Sequence, residues 1–231
     1  RCISDRLQKI WLDWRGFIVF VAVMLVFRSA IADWNQVPSG SMKPSILDGD
    51  RIIVDKLAYD LRVPFTLKRI AQWSEPQRGD VITFPSPLDE RLFVKRVIGL
   101  PGDTVELRRN HLIINGTKAT YDPISDAKIA SLPINNPEQF HFFRETVLGT
   151  SQIVMVHASG GRRSYSSFNP VVVPKRHYLV LGDNRDNSGD YRVIGPVARE
   201  RVLGRAHSIA FSIDYDNYYA PRLNRFFTDL P

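Results

Sequence analysis

The sequence predicts a mainly β, antiparallel fold behind a single N-terminal transmembrane helix. Three observations carry that expectation. Only one strongly hydrophobic segment occurs, Gly16 to Phe27, near the N-terminus. After it, short apolar runs alternate with Gly, Pro and Asn turn signals. Stripes of helical period are scarce there, which argues against an all-α arrangement. At 231 residues with ordinary apolar content, the chain can bury a sizeable core and is not of disordered composition.

The net charge of +7 would suit nucleic acid or an anionic membrane surface. Basic residues are scattered, however, with no run longer than Arg108-Arg109 or Arg162-Arg163, so no nucleic-acid partner is expected. The single cysteine, Cys2, has no internal partner and leaves the redox compartment open.

Residues 1–15 carry Arg1, Arg6, Lys9 and Arg15 against Asp5 and Asp13. The apolar run that follows is shorter than the roughly 20 residues that cross a bilayer. A cleavable signal with its cut near Ala30–Ala32 competes with a retained span. Arg15 and Arg28 at the edges, and extension through Ser29–Ala32 to Trp34, favour the span over 16–35. The basic excess before it then places residues 1–15 in the cytoplasm and the remainder outside.

Along the remainder, Arg51–Asp55 reads as a strand, and Leu57–Trp73 is ambiguous because Pro64 interrupts any long helix. Arg78-Gly79-Asp80 is a turn that opens the strand Val81–Phe84, with no adhesion role. A loop, Pro85–Asp89, leads to the apolar strand Leu92–Ile98, and Pro101-Gly102-Asp103 turns the chain. Thr104–Leu107 and Leu112–Ile114 are short strands, and Asn115-Gly116 is a two-residue hairpin signal. Tyr121–Pro137 reads as an irregular excursion, and Phe140–Leu148 fits helix or strand. Ile153–His157 and Ser164–Phe168 flank Gly160-Gly161 as a second hairpin. Val171–Val173, His177–Leu181, a loop over 182–192 and a strand region within Arg201–Ile213 complete the chain.

Three stretches carry chemistry. The first is Val37-Pro38-Ser39-Gly40-Ser41-Met42-Lys43-Pro44, where two prolines and a glycine specify a defined turn. Such a turn can hold one serine hydroxyl beside a backbone N–H and a second hydroxyl; a plain linker would have the same composition. The second is Lys95, on the strand face of Phe93 and Val97. A desolvated lysine loses its proton readily and can act as a general base, although a solvent-facing lysine is the commoner case. The third is Gly182–Arg192. Asn184, Asp186, Ser188 and Gly189 mimic the start of a calcium loop, but Gly195 stands where a bidentate Glu is required, so no metal is expected. Asp190 and Arg192 read as an ion pair ordering the loop. The five histidines show no triad or metal spacing, which leaves a serine paired with another base.

Pro38–Met42, Arg78–Val81, Val94–Asp103 and Gly182–Arg192, in that order and spacing, resemble the successive boxes of bacterial type I signal peptidases. The resemblance runs from the anchor to about Ala206. It implies Ser41 as nucleophile, Lys95 as general base, and an oxyanion hole from the Ser41 N–H and the Ser39 hydroxyl. It implies that Ser188 orients the lysine while Asp190 and Arg192 support the site. Small-residue pockets are implied near Val37, Pro38, Met42, Ile46, Phe93 and Val94. The implied organisation is a cytoplasmic tail over 1–15, an anchor over 16–35, an antiparallel β catalytic domain over 36–103 and 174–231, and an inserted smaller β domain over 104–173. The implied partners are preprotein signal peptides and membrane lipid, without cofactor or metal, at the extracytoplasmic (periplasmic) side of the bacterial plasma membrane. Tyr191 departs from the family, which has a small residue there. A self-cleaving Ser–Lys repressor would need a helix-turn-helix, and the first 35 residues offer none. A tethered β domain with idle serines would share the fold but not the chemistry.

Overall fold

The computed structural model describes residues 2–30, 32–36, 39–64, 66, 68–130, 132–160 and 166–230. A long helix, α1 (Cys2–Ala30), is followed by β1 (Ala32–Gln36), β2 (Asp50–Asp55), β3 (Asp60–Arg62), β4 (Arg69–Gln72), β5 (Val81–Pro85) and β6 (Leu92–Gly99). Next come β7 (Thr104–Arg108), β8 (His111–Ile114), β9 (Thr117–Lys118), β10 (Thr120–Pro123), the short helix α2 (Asp126–Ala130), β11 (Phe140–Val147), β12 (Thr150–His157) and β13 (Phe168–Val172). The chain closes through β14 (His177–Leu181), α3 (Tyr191–Ile194), β15 (Val197–Ala198), β16 (Gly204–Asp214), β17 (Ala220–Pro221) and β18 (Thr228–Asp229).

The main sheet runs β1-β2-β16-β5-β6-β14-β15, with β17 and β18 also pairing β16. Its named pairings are antiparallel, as the alternation of short apolar strands with turns requires. Strands β7 to β13 stay outside it, in a four-stranded sheet β13-β7-β8-β9 and a three-stranded sheet β10-β11-β12. One core cluster gathers Ile82, Phe84, Val97, Tyr178 and Val180, and a second gathers Ile98, Leu107, Leu112, Leu179 and Leu181. Strand β14 contributes alternate residues to both, which joins the main sheet to the β7–β8 sheet.

Several expectations are corrected. The helix stops at Ala30, and residues 32–36 pair with β2 as an edge strand, so they are not part of a span reaching residue 35. Among the described residues no helix is long and apolar enough to cross a membrane. The side chains of Phe17, Val19, Phe20 and Val23 are nonetheless each more than half exposed, at 58–61%. The ambiguous stretch over 57–73 contains the hairpin β3–β4. Phe140–Val147 is a strand, turned into β12 at Leu148-Gly149, both with positive φ. The expected hairpin on Gly160-Gly161 falls partly on 161–165, outside the described residues; among the described residues β12 pairs β11, while β13 pairs β7. The Asn115-Gly116 turn does join paired strands, with both residues at positive φ as a tight hairpin demands.

Candidate active site

Ser41 sits in a single 3₁₀ turn, Gly40–Met42, between β1 and β2. Ser39 enters the turn in extended conformation, and the Lys43 N–H donates to Gly40 O. The turn is pinned from below. Met42 and Ile46 are fully buried with Ile52, Val54, Val81, Val94 and Ala206. Asn184 donates its backbone N–H to Ser41 O at 3.1 Å and its Nδ2 to Gly40 O at 3.0 Å. Gly182 backs the same turn: a Cβ there would lie 2.4 Å from Ser41 O and 2.2 Å from Ser188 Oγ. Only glycine permits that approach.

Lys95 lies in β6 opposite Ile82 of β5 and is 3% exposed. Its Nζ donates to Ser41 Oγ at 2.6 Å and to Val94 O at 3.1 Å. Burial pushes the Lys95 ammonium down to about 8, against the opposing pull of Asp190 and Asp183; nearby Arg192 adds to the lowering. The Phe93 ring centroid is 5.1 Å from Nζ. Ser39 Oγ and Ser41 Oγ are 3.2 Å apart, within hydrogen-bond reach. A hydroxyl, an amine whose hold on its proton is weakened by burial and a second hydroxyl therefore converge, which is the arrangement a serine nucleophile with a lysine base requires.

The other anticipated residues divide. Asp190 and Arg192 are paired through two contacts, Nε to Oδ1 at 2.7 Å and Nη2 to Oδ2 at 2.6 Å. Asp190 also accepts from Gly182 N at 3.0 Å and caps α3. Ser188 Oγ is buried against Gly182 and has no hydrogen-bond partner among the described residues, so its expected contact to Lys95 is not formed. Tyr191 packs on Phe168 of β13, ring centroids 5.3 Å apart, and so ties the loop to the β7–β13 sheet. Val37 and Pro38 lie outside the described residues. Phe93 packs with the Phe84 cluster and not with Met42, Ile46 and Val94, so the anticipated pocket residues fall in two groups.

Sequence reasoning missed three anchoring contacts. Arg96, beside Lys95, donates Nε and Nη2 to Asp183 at 2.9 and 2.8 Å, and Ser45 Oγ donates to the same carboxylate at 2.6 Å. Arg185 donates two 2.6 Å bonds to Glu145, which also accepts from Tyr121 and Gln152. The would-be calcium ligand Asp186 instead accepts from His157 N at 2.8 Å and Asn110 Nδ2 at 3.1 Å. The nearest signal was chain position: Arg96, Asp183 and Arg185 stand within the boxes already singled out, but Glu145 offers no local cue.

The Arg96–Asp183 pair supplies a stability prediction. Both side chains are 1% exposed. Asp183→Ala leaves a buried guanidinium without its carboxylate, at a cost of about 3–5 kcal/mol. Thermal unfolding is expected to show a Tm lower by roughly 10 °C. An unchanged Tm would mean that the pair does not hold the loop.

With the geometry established, similarity to known proteins is informative. The family described as signal peptidase, peptidase S26, matches residues 11–211. Signal peptidase I of Pseudomonas fluorescens is 32% identical over 215 residues, covering 86% of this chain and 71% of that protein. Signal peptidase I of Buchnera aphidicola subsp. Acyrthosiphon pisum is 30% identical over 246 residues, covering 90% and 78%. A crystal structure of a signal peptidase I from Enterococcus faecalis V583 is 32% identical at a TM-score of 0.34, covering 57% of this chain and 97% of that one.

Proposed function

The chain belongs to the signal peptidase family, peptidase S26, and on that premise we propose a membrane-anchored serine endopeptidase that removes N-terminal signal peptides from exported preproteins. One observation carries the reading: the 2.6 Å contact between Ser41 Oγ and Lys95 Nζ, made inside a water-poor pocket that lowers the lysine's proton affinity. Neutral Lys95 Nζ takes the Ser41 hydroxyl proton as Oγ attacks the scissile carbonyl carbon. The Ser41 N–H and Ser39 Oγ–H face the developing oxyanion. Collapse of the tetrahedral intermediate breaks the C–N bond, and the lysine ammonium returns its proton to the leaving amine. Water, deprotonated by the same lysine, then hydrolyses the Ser41 ester. Ser188, with its unused hydroxyl beside the site, and the Asp190–Arg192 pair shape the lysine's surroundings.

The exposed apolar side chains of α1 support a place for that helix in lipid, with residues 1–15 on the cytoplasmic face of the bacterial plasma membrane and the sheets on the other. The β7–β13 sheets, separate from the main one, support reading 104–173 as an inserted β domain.

The test is direct. The protein in detergent is incubated with a preprotein, and the new N-terminus is sequenced; one cut at the signal-peptide boundary is expected. A preprotein with Phe in place of Ala just before the cut should be processed roughly 10–10²-fold more slowly, because overfilling a packed pocket costs about 1–3 kcal/mol. Equal processing of both would remove the pocket reading, and no cut at all would remove the function.

A further inference from the structure

A cleft of about 490 Å³ opens directly beside the serine turn. Lys43, Leu47 and Asp48 form its near wall, and the segment 132–135 with the chain leaving β16 forms the far wall. Asn135 Nδ2 donates to Asp216 Oδ2 at 2.9 Å, so the two far segments are held together. The cleft shares no residue with Phe93 and Val94, the β6 positions that the family resemblance puts in the small-residue pockets.

We propose that this cleft receives the extended preprotein segment that follows the scissile bond, and that it selects basic over acidic residues there. The proposal rests on the peptidase reading and names a determinant of specificity beyond the small-residue pockets. Lys43 is two residues from Ser41, so their Cα atoms are at most about 7 Å apart. An extended peptide advances about 3.3 Å per residue, which puts the second to fourth residues after the cut in the cleft. Leu132 and Ile134, both half-buried, give such a segment apolar surface to cover.

The charges set the preference. Lys43 is paired with Asp48 at 2.7 Å, and Arg222 with Asp214 at 3.0 Å. Asp216 is exposed and makes no ion pair among the described residues. It leaves the cleft one carboxylate in excess, positioned to meet a Lys or Arg of the passing chain and to repel Glu or Asp.

The experiment uses this whole chain in detergent and peptide substrates differing only in carrying Ala, Lys or Glu at the second, third or fourth residue after the cut. For wild type, kcat/KM for the Lys substrate should exceed that for the Glu substrate by about three- to five-fold at one or more of these positions, the range an exposed ion pair supplies. The difference should appear in KM and shrink at high salt. Asp216→Asn keeps the acceptor for Asn135 and should bring the Lys-to-Glu ratio to about one; Asp216→Lys should invert it. A wild-type ratio of one at all three positions, or a ratio that ignores both substitutions, overturns the cleft assignment while Ala substrates are still cut. If no substrate is cut, the peptidase reading falls and takes the cleft with it.

Discussion

Ser41→Ala is expected to abolish processing while the protein stays folded. Among the described residues the lost oxygen contacts the side chains of Ser39 and Lys95 alone, and Lys95 keeps its bond to Val94 O. The turn itself is held by backbone contacts from Asn184 and by the buried Met42 and Ile46, which the substitution leaves in place. Removing a nucleophile that acts as a unit with its base costs about 10⁴-fold or more in kcat. Ser39→Ala is milder by comparison, because one oxyanion donor is worth about 10²–10³. Initial rates on a preprotein, together with thermal unfolding of each variant, separate the two effects. A Ser41→Ala protein that cleaves normally would end the mechanism, and one that is inactive because it is unfolded would show the Tm loss directly.

Lys95→Arg should be equally inactive although the positive charge is kept. A guanidinium does not lose its proton in proteins, so no base is left beside Ser41. The pH profile tests the same group in the wild type. A free lysine is neutral in only about one molecule in 2,500 at pH 7. With Lys95 pushed down to about 8 by burial, roughly one in ten is neutral at that pH. The base form accumulates as pH rises, so kcat/KM should climb about tenfold per pH unit below 8 and level off above it. A flat profile from pH 6 to 10, or substantial activity in the arginine variant, would remove Lys95 as the base. Beside Lys95, β6 also buries Arg96, whose charge is met by Asp183.

The legible part of this protein was local. Alternating apolar residues and turn chemistry located β2, β5, β6, β7, β8 and β14 within a residue or two of their observed limits, because those signals depend on neighbours in the chain. The Ser39–Ser41 turn and the 182–192 loop were visible for the same reason, as clusters of residues with restricted or permissive backbones. What failed was partner choice. Residues 32–36 read as the end of a helix, and only pairing with β2, across the whole serine turn, makes them a strand. The strand over 140–147 turns back at Leu148-Gly149, a weaker signal than Gly160-Gly161, and the described part of the next strand, β13, pairs with the distant β7.

The sequence by itself determined which residue types stand together locally: two serines in a turn, a lysine among apolar neighbours, and a carboxylate two residues from an arginine. The tertiary structure alone decided that Ser41 meets Lys95 across 54 residues and that Asn184 clamps Gly40 across 144. It alone closed Glu145 onto Arg185, from a strand with no hint of the site. The physical reason is that residue type and period are properties of a short stretch, whereas distance and desolvation arise only when sheets close on one another. Lys95 is an ordinary lysine in the sequence; its burial by the closed sheets is what lowers its hold on the proton.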